Sequence, residues 1–358
     1  MNPYIYLRAL RRVEHSVFCV QDGQKFYYDP QFNTRVPYSS GQQVKRSVLE
    51  SVADALDTTI SPTTFTFNVG KNKDLGEGEA WAACDPTYVD QLLGGWMKAQ
   101  SGGGNRTIKR RSPLSISAMR PVHPLLGGIH KENLTFDRSD KPHLHKIIVR
   151  DSSGKELSED DVVAFLDGTD RSLTRKWIPD NARATGLFVY DIAIDLRTLF
   201  CVSLNQYEPE LNPEIIEKLK ANGWVESENA FGPCLVCPSE DRERIIPALA
   251  KALVNWRITS NQARTFSLME TLAVAVSDNA NRLAGAIRAK LVEDSEKPKA
   301  KPIVEEVPGV ELFVTLPCAG YIVTTNESVD ALDMAEASLI ERMMAFDYEN
   351  QAQPVEVA

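Results

Sequence analysis

The sequence lacks the short motifs that mark the common nucleotide-binding enzymes, serine hydrolases and metalloproteases. Its 358 residues contain no G-x-x-x-x-G-K-[ST], G-x-G-x-x-G, G-x-S-x-G or H-E-x-x-H pattern. No apolar run is long enough to cross a bilayer, and the first residues lack the apolar core of a signal peptide. The six cysteines are sparse and irregularly spaced, which is typical of reduced thiols. We therefore expect a cytoplasmic protein that does not contact a membrane.

A net positive charge is also missing, although the cationic residues are concentrated in two segments. The formal net charge is −9, whereas nucleic-acid-binding domains usually carry a basic surface. Residues 98–131 nevertheless contain seven Lys and Arg side chains and no Asp or Glu, and residues 1–46 contain seven against three acidic residues. Phosphates respond to local charge and not to the sum over the chain. The two segments therefore indicate a surface that faces a polyanion.

The pattern of apolar residues predicts an α+β fold. Strand patterns occupy residues 4–20, 25–28, 63–69, 186–200, 266–276 and 310–316. One helix pattern begins after Ser39 or Ser40, either of which can cap a helix. Two other helix patterns cover residues 240–256 and 329–345. When the irregular stretch in the middle of the chain is set aside, the element order is compatible with a ferredoxin-like β-α-β-β-α-β core.

Two regions interrupt this order. Residues 70–185 contain a Ser-Gly-Gly-Gly run, many prolines and only short amphipathic pieces, which is typical of an insertion with mobile loops. Residues 291–309 mix Lys, Glu and Pro without an apolar period, so we expect a linker or an exposed loop there. Residues 310–358 would then form a C-terminal strand and helix.

Several segments carry side chains suited to the phosphates of a nucleic acid. The segment NRTIKRR follows a glycine run that lets the backbone adapt, and it supplies the cations Arg106, Lys109, Arg110 and Arg111. The segment SSGQQVKRS places polar and cationic side chains at a predicted helix start, where backbone N–H groups can hold a phosphate. Its candidate residues are Ser39, Ser40, Gln42, Gln43, Lys45 and Arg46.

Two further segments add to this set. SNQARTF repeats the combination of polar residues and an arginine at Arg264. In a proline-bounded segment, Met119 stands directly before Arg120, and this pair fits either an apolar wedge between bases or core packing of the methionine.

Other residues leave an enzyme or a metal protein open as alternatives. His143 and His145 would share one face of a strand, and Cys234 and Cys237 form a single C-x-x-C pair. Neither pair alone supplies the four ligands of a usual zinc site. An acid after the first strand, Asp22 or Asp29, would be placed to assist phosphodiester chemistry, although such residues are more often turn formers.

Three segments resemble the Cas-seven (DevR-type) family and occur in the matching order. RVPYSSGQQVKRSVLESV is similar to the element R-x-Y-[IV]-S-S-Q-x-x-K-R-x-[IL] that follows the first strand of those proteins. RSPLSISAMRPVHPLLGG and SNQARTFSLMETLAVAVSD are similar to two later segments of the family. The resemblance spans residues 1–285.

The resemblance implies an RNA-recognition-like palm with an inserted fingers domain and a thumb loop. The palm would comprise residues 1–69 and 186–290, the fingers 70–185 and the thumb 200–240. It carries the guide-backbone site onto Ser39, Ser40, Gln42, Lys45 and Arg46, and also onto Arg35, Arg120 and Arg264. Gly41 stands where the family pattern has glutamine, so either Gln42 or Gln43 fills that position. Because the palm lacks the aromatic sequences of ordinary RNA-recognition domains, we expect phosphate and 2′-hydroxyl contacts in place of base stacking on a sheet.

Family members form the backbone of type I CRISPR interference complexes, in which they stack head to tail along the guide RNA. The resemblance thus implies a non-catalytic crRNA-binding subunit of a Cascade complex, without a cofactor, that presents the guide for pairing with target DNA in antiviral defence. Its implied partners are crRNA, copies of itself, other Cascade subunits, the target nucleic acid through the guide, and a recruited nuclease-helicase.

Two alternatives remain at this stage. A type III-like backbone subunit would also cleave target RNA with Asp22 or Asp29, but SSGQQVKR differs from the G-S-S-[LF]-K-G helix start of that branch. A metabolic enzyme would hold a metal at the His143, His145, Cys234 and Cys237 residues.

Overall fold

The chain folds into a mixed α/β structure built on one large sheet. The computed structural model describes residues 2–18, 24–70, 75–99, 106–258, 265–292 and 297–351. The strands are β1 (Tyr4–Ser16), β2 (Phe26–Asp29), β3 (Thr34–Pro37), β4 (Thr64–Val69), β5 (Leu75–Trp81), β6 (Trp96–Lys98), β7 (Ile108–Arg110), β8 (Leu114–Ile116), β9 (Arg120–Pro121), β10 (Gly127–Asp137), β11 (Arg175–Asp195), β12 (Cys201–Ser203), β13 (Val225–Asn229), β14 (Gly232–Val236), β15 (Thr271–Ser277), β16 (Ile287–Val292), β17 (Lys299–Val304), β18 (Glu311–Thr315) and β19 (Glu327–Ser328).

The helices are α1 (Gly41–Ala55), α2 (Val89–Gly94), α3 (Glu159–Leu166), α4 (Leu196–Leu199), α5 (Pro213–Ala221), α6 (Ser239–Asn255), α7 (Ala280–Ala286) and α8 (Ala331–Met344). The start of α1 matches the sequence prediction, as do the positions of α6 and α8. Pro247 lies inside α6 and does not end it. Among the described helices, none has the length and apolar character needed to span a membrane.

β1 lies in the middle of the large sheet. It runs antiparallel to β11 on one side and β15 on the other, with Leu7 opposite both Ile192 and Val276. The strand order is β10-β11-β1-β15-β18-β19, and β8 and β9 also pair with β11. Leu7 belongs to one buried apolar cluster and Leu10 to the other, so apolar layers cover both faces of β1.

Helices α1 and α6 pack against each other over one face of this sheet. The predicted apolar face of α1 is correct at Val44, Val48 and Val52, which are fully buried. Burial of apolar surface stabilises a fold by about 25 cal/mol per Å². The stripe of valines at helical spacing therefore determines which face of α1 lies against the core. Of the polar residues at the start of the helix, Gln42 and Arg46 are exposed, and Gln43 and Lys45 are half-buried.

Residues 129–183 form a second compact unit. Within it, ion pairs join Arg175 to Asp137 at 2.7 Å and Arg183 to Glu132 at 3.1 Å. Between the strands of this unit lie α3 and a 3₁₀ turn, Pro142–Leu144. The sequence analysis expected His143 and His145 on one strand. His143 instead lies on this turn, which Pro142 begins, and His145 directly follows it.

The boundary of the insertion differs from the sequence expectation of 70–185. Residues 106–128 belong to the larger unit, where β8 and β9 pair with β11. The predicted strand at 63–69 exists as β4, but β4 pairs with β5 in a separate hairpin outside the large sheet. Strand propensity alone does not select a partner, and most of β4 is solvent-exposed, including Phe65 and Phe67. The position beside β11 is filled by β8 and β9.

Two other expectations also change. In the region expected as a linker or exposed loop, 291–309, residues 299–304 form β17, which pairs with β16 as the β16–β17 hairpin. Ile287 and Val304 face each other in register in this pair and are both buried. The region expected as a thumb, 200–240, contains α5 and the three-stranded sheet β12-β14-β13. Its Leu219 and Leu235 are fully buried in the main core, so this region is packed into the larger unit.

Candidate nucleic-acid interface

The start of α1 is fixed by a serine cap and a close backbone approach. The Ser40 hydroxyl accepts a hydrogen bond from the Gln43 N–H at 3.3 Å. A Cβ on Gly41 would lie 2.6 Å from the Ile116 carbonyl oxygen, so only glycine allows this turn to lie against β8. The same contact excludes a glutamine side chain at position 41. Gln42 is exposed beyond it and Gln43 is half-buried.

Ser39 joins the helix start to the segment that precedes β9. Its N–H donates to the Met119 carbonyl at 2.9 Å, and the Met119 N–H donates to the Ser39 carbonyl at 3.0 Å. Both residues are buried, and Met119 is fully so. Of the two interpretations of Met119, core packing is therefore correct, and an apolar wedge between bases is not. The Ser39 hydroxyl has no hydrogen-bond partner among the described residues.

Lys45 has an unusual environment for a lysine. It lies on the first turns of α1 and is half-buried, and its ammonium makes no hydrogen bond or ion pair within the described part of the chain. Burial, and then the nearby positive charge of Arg110, lower the pKa of Lys45 to about 8. Both effects disfavour the charged form, and a bound anion would reverse both.

Arg110 was predicted as a phosphate ligand, and the structure places it in the interior. Its side chain is 4% exposed. Its guanidinium donates to the carbonyl oxygens of Leu92, Thr198 and Cys201, and its Cζ lies 5.3 Å from the centroid of the Trp96 ring. These hydrogen bonds engage the N–H groups of the guanidinium, so Arg110 is not a direct phosphate ligand. Arg11, one of the cations of the N-terminal segment, is likewise fully buried.

Lys109 and Arg111, the residues on either side of Arg110, are exposed to solvent. β7 alternates inward and outward, with Ile108 and Arg110 buried and Lys109 exposed. This period of two is a sequence signal that distinguishes Arg110 from its neighbours. Arg111 is exposed and has no ionic partner among the described residues.

Two other cations of this run contact the loop after β12. Lys109 lies 3.6 Å from Glu208 in an ion pair whose members are both more than half exposed. Arg106 donates to the Gln206 carbonyl at 2.6 Å. Exposed pairs of this kind stabilise the fold little and exchange readily with another anion. Lys109 and Arg106 therefore remain available to a polyanion, whereas Arg110 does not.

Arg120 shares a carboxylate with Arg8. Asp191 accepts from the Arg8 Nε at 2.5 Å and from the Arg120 Nη2 at 3.3 Å. Two guanidinium groups thus face one carboxylate, which leaves a local excess of positive charge beside the bridge between Ser39 and Met119. Sequence reasoning counted Arg8 only in the charge total. Strand periodicity alone could not have found it, because the partner Asp191 is distant in sequence.

The other predicted cations are more exposed. Arg35, on β3, lies with its Cζ 5.0 Å from the centroid of the Phe26 ring. Arg46 is exposed and donates to Glu50 one turn further along α1 at 2.7 Å. The predicted ligand Arg264 and the candidate acid Asp22 lie outside the described residues.

The groups proposed for metal or acid chemistry are occupied or dispersed. The Asp29 carboxylate accepts from the Phe32 N–H at 3.0 Å, which is the turn-forming role. Cys234 and Cys237 are buried thiols, and burial raises the pKa of Cys237 to about 12. Within the described ranges, no group of three or more His, Cys, Asp or Glu side chains is arranged to hold a metal ion.

The geometry brings part of the predicted set together. Ser39, Ser40, Lys45 and the segment 118–120 meet where α1 begins, through the Ser39–Met119 bridge and the contact of Gly41 with β8. The buried Arg110 adds its positive charge to this site from the protein interior. The result is a helix N-terminus with orphan N–H groups and an unpartnered lysine, which is an arrangement that can hold a phosphate.

Comparisons with known proteins give matches at the level of structure. No protein-family model matches the chain, and no curated protein matches it. A solved structure described as a CRISPR RNA-guided surveillance complex covers 95% of this chain and 83% of its own, with 10% identity and a TM-score of 0.37. Another, described as a CRISPR RNA-guided surveillance complex, pre-nicking, covers 95% of this chain and 88% of its own, with 9% identity and a TM-score of 0.41. Because this overlap is loose, we base the functional proposal on the residues of the chain.

Proposed function

We propose that this chain is a non-catalytic crRNA-binding backbone subunit of a Cascade-type CRISPR complex, and that the start of α1 holds the backbone of the guide. The observation that carries the proposal is Lys45. A half-buried ammonium without an acceptor, next to a buried arginine, is costly in the free protein. A phosphate at the start of α1 would supply the missing acceptor and restore the charged form of the lysine.

The surrounding groups suit a phosphate better than a base. The first turn of α1 offers backbone N–H groups and the positive end of the helix dipole. None of these groups contacts a base edge. They would therefore bind the backbone of a guide of any sequence and leave its bases free to pair with a target.

The strand order supports a ferredoxin-like palm. The elements β1, α1, β8 with β9, β11, α6 and β15 follow one another as β-α-β-β-α-β, and in the sheet they lie in the order β8/β9, β11, β1, β15. We take this as the palm of the family that the sequence resembles. The second strand is formed by residues 114–121, and the predicted residues 63–69 are not part of it.

The remaining roles follow from the resemblance. Copies of the chain would stack along the guide beside other Cascade subunits, and a recruited nuclease-helicase would cut target DNA in antiviral defence. We propose no catalytic role for the chain itself. The type III-like alternative gains no support from Asp29, whose carboxylate is engaged in a turn.

The test is RNA binding by Lys45 variants of the purified chain. Lys45→Met should weaken binding to single-stranded RNA regardless of sequence and lower the salt slope by about one. Lys251→Met, on the exposed side of α6, is the matched control and should change neither quantity. Affinity of the wild type should fall as the pH rises through 8, and Lys45→Arg should remove that fall because arginine stays charged. Equal affinities for Lys45→Met and wild type would refute the proposal.

A second measurement addresses the biological setting. When the chain is expressed with a CRISPR array, a small RNA of defined length should co-purify with it. Recovery of the chain free of such RNA, together with unchanged binding by Lys45→Met, would leave the family role without support.

A further inference from the structure

The hairpin that precedes α1 exposes a row of aromatic side chains. In β2, Phe26, Tyr27 and Tyr28 are 45%, 40% and 57% exposed. β2 pairs with β3 in a two-stranded sheet that is separate from the large one. Large exposed apolar groups that lie close together often mark a binding surface.

The two faces of the hairpin differ. Neighbours in a strand point to opposite faces and residues opposite in register share a face, so Phe26, Tyr28 and Arg35 lie together. Tyr27 lies on the other face with Val36, which is fully buried, and its ring is 6.1 Å from that of Tyr38. The inner face therefore anchors the hairpin, and the outer face is open.

The outer face also carries positive charge. Its cation is Arg35, which is exposed and has no ion-pair partner in the described part of the chain. The Arg35 guanidinium extends over Phe26, with Cζ 5.0 Å from the ring centroid. The Tyr28 hydroxyl bonds to the side chain of Asn33, which holds its ring in place. The nearest acid in β2, Asp29, faces the inner side in register with Thr34.

We propose that the outer face of the β2–β3 hairpin stacks unpaired bases of the same RNA whose backbone is held at the start of α1; this rests on the proposed function. Aromatic rings and arginine planes are the groups on which single-stranded bases stack. Residues two apart in a strand are about 6.6 Å apart, so Phe26 with Arg35 and Tyr28 can each receive one base. Only Tyr38 separates β3 from Ser39, so the hairpin and the phosphate site are contiguous in the chain.

The chemistry of the face favours RNA over a protein partner. It combines rings with a cation and presents no large aliphatic side chain, whereas a protein interface core is usually depleted of charge.

The test compares three probes of equal length: single-stranded RNA of mixed sequence, the same RNA as a duplex, and an abasic strand with the same phosphates. Wild type should prefer the single strand over the other two. The double variant Phe26→Ala, Tyr28→Ala should lose about 5- to 150-fold per stacked base for the single strand and bind the abasic strand unchanged. Phe26→Tyr with Tyr28→Phe should retain the preference, because both rings are kept.

Phe165→Ala is the matched control, since Phe165 is 69% exposed on α3 beside acidic residues. It should leave all three affinities unchanged. If wild type binds the abasic strand as tightly as RNA, the stacking proposal is wrong while phosphate binding stands. If wild type binds none of the probes, the proposed function itself fails. A double variant that alters only the self-association of the chain would assign the face to a protein contact and overturn the inference.

Discussion

Gly41 lies against Ile116 so closely that a Cβ at position 41 would come within 2.6 Å of the Ile116 carbonyl oxygen. This contact seats the first turn of α1 on β8 and so determines where the candidate phosphate site lies. It also excludes a longer side chain at position 41, such as the glutamine of the sequence pattern that this segment resembles. Gln42 and Gln43, the next residues, remain the two options for that glutamine.

Gly41→Ala should destabilise the fold by about 1–3 kcal/mol, because the backbone of β8 cannot move away from the added methyl group without breaking its pairing with β11. Chemical denaturation is the measurement. Gly285→Ala is the control: in α7 its Cβ would meet only Val307 at 3.7 Å, so the change should be neutral or stabilising. An unchanged midpoint for Gly41→Ala would show that this turn adapts.

Lys45→Met should raise the melting temperature at pH 7. The folded pKa of Lys45, about 8, is lower than that of an unfolded lysine, so the protonated form costs stability below pH 8. This cost disappears as the pH rises from 8 to about 10, and the advantage of the variant should shrink over that window. Thermal scans at several pH values measure it, with Lys251→Met, which removes an exposed lysine of α6, as the control. A variant that is less stable at pH 7 would mean that Lys45 has a partner in solution.

Arg110 and Arg111 are neighbours in sequence with opposite expected effects. Arg110→Met removes the donor of three carbonyl groups, two of them in buried hydrogen bonds, and should lower the free energy of unfolding by about 2–4 kcal/mol. Arg111→Met should leave stability within about 0.5 kcal/mol and weaken RNA binding. Denaturation curves and binding isotherms on both variants separate the roles. Similar stabilities for the two would contradict the buried assignment of Arg110.

Lys290 and Lys301 face each other across the β16–β17 hairpin. Like charges directly opposite in a sheet are destabilising, so Lys301→Glu should stabilise the fold by about 0.2–1 kcal/mol. Lys299→Glu makes the same charge change opposite Val292 and should gain less. The difference between the two should diminish in high salt, because exposed charges are screened. Equal gains at low salt would mean that net charge, and not this pair, sets the effect.

The parts of the fold that local pattern determines were predictable. Ser40 before a stripe of Val44, Val48 and Val52 indicated α1, and the alternation after Gly186 indicated β11. The predictions that were wrong concerned contacts between residues that are distant in the sequence. The sequence shows a strand at β4 but not that β5 is its partner, and it shows four cations at 106–111 without showing that Leu92 and Thr198 surround one of them.

The candidate site follows the same division. Residues close in sequence, from Ser39 to Arg46, were identified as one group, and the structure brings most of them to one helix start. The contribution of residues 118–120 required the contact with Ser39, and that of Arg8 required Asp191. The aromatic face of β2 was within reach of the sequence, since FYY is visible there, but its exposure depends on the hairpin standing apart from the sheet.

The reciprocal hydrogen bonds between Ser39 and Met119 have a kinetic consequence. Each amide proton is covered by the carbonyl of the other residue, so one opening event exposes both to solvent. The two amides should therefore exchange with deuterium at a shared rate, although they are far apart in the chain. A ligand at the start of α1 would slow both together, and the Met119 amide would then report occupancy without contacting the ligand.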